Sequence, residues 1–222
     1  MIEAKHRRPP VFSHVADSAI GGGKQVAEQN PARENWLGRE IYEWVDVILS
    51  SFLIVIFLFI FAFRIMGVDG HSMVPTLQDK DVVLVLSPML NRDFRYGDIV
   101  IFRKGSFNER PLVKRVIATG GQSVDIDFDN GAVYVDGELL DEPYIRELTF
   151  LQEGTSFPLT VPEGSIFVMG DNRNGSTDSR SSRLGTVDTR YIIGRVAMVL
   201  FPGKDYSTEK RDFSRIGLIA RL

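Results

Sequence analysis

The chain has 222 residues, 44% of them apolar, and a formal net charge of −3. That length suits one tethered domain of about 150 residues, and the absence of any basic stripe argues against a nucleic-acid partner. There is no cysteine and only three histidines, so disulfides, a thiol nucleophile and thiolate metal sites are excluded. His6 and His14 lie in a polar N-terminal stretch with His71 far beyond, which leaves little material for a histidine metal site or a Ser-His-Asp triad. No cofactor is expected.

Residues 1–46 are polar and mixed in charge, with Gly21, Gly22 and Gly23 in a run. They read as a flexible tail that turns helical near Trp36–Trp44. Val47–Phe63 carries no charge, and extension to Met66 admits only Arg64, whose stem can snorkel to a membrane interface. About twenty such residues span about 30 Å, one hydrocarbon thickness. A cleavable leader would begin near residue 1 and be shorter, so residues 47–66 are expected to be a transmembrane anchor. The flanking Arg33, Arg39, Arg64 and Lys80 leave its orientation open.

Beyond residue 66 the apolar pattern has period two. Asp81–Leu86, Asp98–Arg103, Leu112–Ile117, Val124–Phe128, Ala132–Val135, Ile166–Met169 and Tyr191–Phe201 all read as strands. Asp129-Asn130-Gly131 between two of them is a hairpin turn, since Asn and Gly tolerate positive φ. Residues 138–160 read as a loop-rich insert. The expected fold is mainly β: an antiparallel, barrel-like sheet domain over 67–222 behind one N-terminal transmembrane helix.

Three segments could carry chemistry. In Gly70-His71-Ser72-Met73-Val74-Pro75-Thr76-Leu77 the serine either caps a turn or acts as a nucleophile; the glycine permits the close backbone approach that a docking carbonyl needs. In Leu112-Val113-Lys114-Arg115-Val116-Ile117 each strand face is apolar except for one cation. Lys114 either pairs with a carboxylate or loses hydration, which lowers its pKa from about 10.4 and makes it a neutral base. The polar run Gly170-Asp171-Asn172-Arg173-Asn174-Gly175-Ser176-Thr177-Asp178-Ser179-Arg180 is a surface turn, a cation loop or a self-bonded support. It lacks EF-hand spacing, and no metal site is expected. His71 should face away from the Ser72 hydroxyl, because neighbouring residues on extended backbone point to opposite sides.

In this order, after a single span, these segments resemble the boxes of the bacterial type I signal peptidases, Ser–Lys peptidases of the single-span, Gram-positive-like kind. Tyr96-Gly97-Asp98-Ile99-Val100-Ile101-Phe102 and Asp141-Glu142-Pro143-Tyr144 are similar to further family segments. The resemblance implies Ser72 as nucleophile, Lys114 as general base and Ser176 as the hydroxyl orienting the lysine amine. Asp178 and Arg180 would form a supporting ion pair, with Arg115 following the base. It places the oxyanion at the backbone around Gly70 and Ser72. Gly70 stands where some members carry a side-chain donor, which throws more of that task on the Ser72 N–H. Gly175 stands where an Asn is frequent. The pocket walls implied are Val68, Met73, Leu77, Leu112 and Val113, suited to small side chains such as Ala-X-Ala. The substrates implied are preproteins bearing signal peptides, cut outside the cytoplasmic membrane by a domain anchored in the lipid bilayer, in functional association with the secretion machinery.

Three rival readings fit less well. A self-cleaving repressor peptidase would need a DNA-binding domain and no span. An intramembrane aspartyl peptidase needs several spans. A tethered, non-enzymatic envelope-binding domain has no need of Lys114.

Overall fold

The computed structural model describes residues 31–90 and 92–219. The flexible tail expected over 1–46 falls largely on residues that lie outside this range. Its remainder, from Pro31, belongs to helix α1 (Pro31–Ala62). Within it Gly38–Ala62 is long and apolar enough to cross a membrane. Its large side chains, among them Ile48, Leu53, Phe57 and Ile60, stand exposed rather than packed in a core, as a lipid-facing helix requires.

The helix stops earlier than the expected anchor end at residue 66. Phe63–Gly67 is strand β1, and its backbone pairs antiparallel with β2 (Val82–Leu86). The apolar run continues past Ala62 with only Arg64 to interrupt it, which hid this switch, because a short apolar stretch reads equally as helix or strand.

The other strands follow in chain order: β3 (Ile99–Phe102), β4 (Leu112–Thr119), β5 (Ser123–Asp127), β6 (Ala132–Val135), β7 (Glu138–Leu139), β8 (Leu159–Thr160), β9 (Ser165–Met169), β10 (Val187–Asp188), β11 (Ile192–Phe201) and β12 (Gly217–Leu218). The seven expected strands are all present. β1 and the two-residue strands β7, β8, β10 and β12 were not visible as period-two segments.

The larger sheet runs β1-β2-β11-β3-β4-β9-β10, with β12 added on β11; the smaller runs β7-β6-β5-β8. Every pairing is antiparallel. The larger sheet is an open path rather than a closed barrel. The β5–β6 hairpin turns where expected: Gly131 has φ +73°, and the Asp127 carboxylate accepts from the N–H groups of Asp129 and Asn130 at 2.9 and 3.1 Å. The expected insert bears no strand between β7 and β8.

Alternation along β4 distributes its side chains between separate cores. Leu112 and Val116 pack with Val100, Phe102 and Val168, whereas Val113 packs with Met73, Leu77, Ile99 and Ile101. A register shift against β9 between Val116 and Ala118 then brings Ile117 and Ala118 into a third cluster with Phe167 and Met169. Lys114 therefore sits mid-sheet, next to Val113 of one core and two residues from Leu112 and Val116 of another.

Candidate active site

Ser72 lies in the loop between β1 and β2. Two backbone bonds close the base of that loop, Val68 N to Asp81 O and Lys80 N to Val68 O, both 2.8 Å. Within it Val74 N donates to His71 O at 3.3 Å and Leu77 N to Met73 O at 2.9 Å, so 71–77 winds as consecutive turns. Gly70 takes φ +101° at the entrance, a conformation that side chains disfavour. Met73 and Leu77 are buried and anchor the turns in the core.

The turn sets the Ser72 hydroxyl against β4. Lys114 Nζ lies 2.7 Å from Ser72 Oγ and 3.0 Å from its neighbour's carbonyl, Val113 O. Lys114 is only 2% exposed. Burial lowers its pKa from 10.5 to about 8 against the opposing pull of Asp178 and Asp171, because an ammonium loses its hydration when enclosed.

The third segment follows β9 and closes over the pair. Asn172 N donates to Ser72 O and Asn172 Nδ2 to His71 O, each at 3.1 Å. Gly170 is the close-approach point: a Cβ there would lie 2.2 Å from Ser176 Oγ and 2.5 Å from Ser72 O. Gly175 serves the same packing, since a Cβ would meet Asn172 Nδ2 at 2.5 Å. The side chain absent at position 175 thus leaves room for the Asn172 amide to reach the serine turn.

Arg115, pointing away from its neighbour Lys114, ties all three segments together. Its Nε and Nη2 form a forked pair with Asp171 at 2.8 and 2.6 Å, Nη1 donates to Gly97 O at 3.0 Å, and the guanidinium lies 4.0 Å over the Tyr144 ring. Thr76 Oγ1 donates to the same Asp171 carboxylate at 2.5 Å. Arg180 makes a second forked pair with Asp178, both bonds 2.8 Å, and reaches the carbonyls of Leu151 and Arg173. Arg173 is paired with Glu142 in the same manner. These ion pairs are almost wholly excluded from solvent.

Ser176 differs from the role expected of it. Its hydroxyl donates to Asp178 Oδ2 at 3.0 Å rather than bonding Lys114, so the lysine is affected through the Asp178 charge. The His71 ring lies edge-on to Tyr206, centroids 4.9 Å apart, on a turn rather than on extended backbone. Gly70 N–H is taken by Asp79 Oδ1 at 2.8 Å, whereas the Ser72 N–H has no hydrogen-bond partner among the described residues. Asp171, Thr76 and Asn172 were not singled out by sequence. A signal for Asp171 existed: an arginine on a strand apolar on both faces needs a buried carboxylate somewhere.

A cleft of about 360 Å³ opens beside Ser72 and Lys114. Its walls include Val68, Met73, Leu112 and Val113, together with Met66 and Ile101. Leu77 is not among them; it is fully buried in the same core cluster as Met73. No cluster of three or more His, Cys, Asp or Glu side chains suited to a metal ion occurs among the described residues.

The sequence is similar to known proteins along most of its length. It is 35% identical to signal peptidase I of Bacillus licheniformis, over 73% of this chain and 89% of that protein. It is 33% identical to a signal peptidase I of Bacillus amyloliquefaciens, over 82% and 98%. A crystal structure of a signal peptidase I from Enterococcus faecalis V583 is 31% identical, covering 46% of this chain and 96% of that one with a TM-score of 0.39. The model of the family described as signal peptidase, peptidase S26, matches residues 41–201, and the chain belongs to that family.

Proposed function

We propose that this protein is a membrane-anchored serine endopeptidase that removes signal peptides from exported preproteins, with Ser72 as nucleophile and Lys114 as general base. The observation that carries the assignment is the 2.7 Å contact between a turn serine and a buried lysine held near pKa 8. About one Lys114 in ten is then neutral at pH 7, and the neutral amine accepts the Ser72 proton as Oγ attacks the scissile carbonyl. The Ser72 N–H, unengaged by the protein, faces the charge growing on the carbonyl oxygen. The resulting ammonium passes its proton to the leaving amine. Lys114, neutral again, activates the water that hydrolyses the acyl-enzyme.

The apolar cleft is the proposed seat for the residues before the cut. Val68, Met73, Leu112 and Val113 are among the residues that line it, and in this reading their apolar walls favour small side chains over large ones. The apolar helix α1 would hold the enzyme on the bilayer that also carries the membrane-embedded leader, raising their effective concentration. In this reading the β-domain lies outside the cytoplasmic membrane and the N-terminal residues inside.

The test is cleavage of a preprotein by detergent-solubilised protein, with sequencing of the new N-terminus. Ser72→Ala should leave no turnover, and Lys114→Arg should match it, since a guanidinium stays protonated. Residual turnover by either variant at a tenth of the parent rate would refute the assignment.

A further inference from the structure

The C-terminal segment after β11 forms no hydrogen bond with Ser72 among the described residues, yet it converges on the turn that carries it. Its hub is Asp81, a fully buried carboxylate at the base of the Ser72 loop. Asp81 Oδ1 accepts from Gly203 N at 2.6 Å and from Arg215 Nη1 at 3.0 Å. Asp81 Oδ2 accepts from Gln78 N at 2.8 Å and from Arg215 Nη2 at 2.6 Å. Four donors from three segments thus satisfy one carboxylate. The approach of the strap is close: a Cβ on Gly203 would fall 1.9 Å from Asp79 O. Gln78 adds a second tie, its Oε1 accepting from Tyr206 N at 3.0 Å.

Arg215 does more than pair with Asp81. Its Nη2 also donates to Thr76 O at 3.0 Å. The hydroxyl of the same Thr76 is held by Asp171 from the opposite side. Thr76 is therefore gripped by its carbonyl from the C-terminal strap and by its side chain from the loop after β9. Leu77 N to Met73 O continues the turn back toward Ser72, so a shift at Thr76 is transmitted to the nucleophile.

We infer that Arg215 is a positioning residue: by joining Asp81 to the Thr76 carbonyl it fixes the turn that places Ser72 Oγ against Lys114. The inference rests on the proposed Ser72–Lys114 reading. A guanidinium fork can bond both carboxylate oxygens and the carbonyl at once, whereas one ammonium cannot reproduce that geometry. Misplacement by about 1 Å costs roughly 10²-fold in rate, and the turn should give by less than that.

The experiment compares parent, Arg215→Lys and Arg215→Ala as full-length proteins in detergent, cleaving one preprotein. Arg215→Lys keeps the charge opposite Asp81 and should unfold within a few degrees of the parent, while kcat falls roughly tenfold and KM changes less than twofold. Arg215→Ala should lose more in kcat, and millimolar guanidinium should restore part of it. A folded Arg215→Lys with the parent's kcat, or a loss confined to KM, would overturn the inference while leaving the peptidase reading intact. A parent that does not cut, or a Ser72→Ala control that still does, would bring down both.

Discussion

Replacing Lys114 with Met should make the protein inactive and, near neutral pH, more stable. The reason is the cost of enclosing an ammonium. A lysine with an ordinary pKa of 10.5 that titrates near 8 when folded is protonated at pH 7 in both states. The folded state then bears a penalty of about 1.4 kcal/mol for each pH unit between the two values, about 3 kcal/mol in all. Met has a similar unbranched stem and no charge. What it gives up is the pair of hydrogen bonds to Ser72 Oγ and Val113 O, together about 1–2 kcal/mol. The balance at pH 7 favours the variant by about 1–2 kcal/mol.

The pH dependence gives the sharper test. Between pH 8 and 10.5 the unfolded chain holds a proton on Lys114 that the folded chain has released, so the stability of the parent rises relative to the variant through that window. Below pH 8 the penalty is fully present; above 10.5 it is gone and the lost hydrogen bonds remain. The stability difference should therefore change sign as pH rises. Guanidinium unfolding of both proteins in detergent, followed by near-ultraviolet circular dichroism at pH 7, 9 and 10.5, measures it. Other titrating groups are common to both proteins and cancel. A difference that is flat across pH would refute the argument, because it would mean that Lys114 ionises alike in the folded and unfolded chains.

Two further outcomes follow from the loop after β9. Asp178→Ala leaves Arg180 fully buried without its counter-ion and removes the acceptor for Gly170 N and Ser176 Oγ; it should cost about 3–5 kcal/mol in an unfolding titration. Gly170→Ala must displace Ser176 or the Ser72 backbone to make room, so preprotein cleavage should fall roughly tenfold or more while the far-ultraviolet spectrum is kept.

Most of the sheet was legible because its longer strands are runs of four or more alternating or continuously apolar residues bounded by turn signals, which is a local property. What escaped was short or continuous with something else. Phe63–Gly67 extends an apolar run with no turn signal, and its identity as a strand comes from pairing with Val82–Leu86. The two-residue strands have no period to read. At the site, Ser72, Lys114 and the Asp178–Arg180 pair were named from family-like boxes, and the structure brings them together. Leu77, expected at the pocket, is buried and does not line the cleft, a distinction that sequence order does not carry. The Ser176 hydroxyl turns to Asp178, a choice set by geometry within a tight loop. Arg215 and Asp81 lie far apart in the chain and match no periodic or box-like pattern, so only the fold reveals their pairing.

The three buried Arg–carboxylate pairs are better explained by placement than by stability. A buried ion pair loses much of its Coulomb attraction to desolvation, and apolar replacements of similar volume are frequently as stable. Here each pair ends on the loop 170–180, which bears no β-strand and must find partners for its own backbone. Arg115 joins that loop to the strand of Lys114, and Thr76 joins the same carboxylate to the turn of Ser72. Apolar side chains could fill this volume but could not fix direction, since dispersion is nearly isotropic. Forked guanidinium bonds are directional. For the proposed proton transfer a serine and a lysine borne on separate segments must stay within hydrogen-bond distance, and the network between Arg115, Asp171 and Thr76 supplies that constraint.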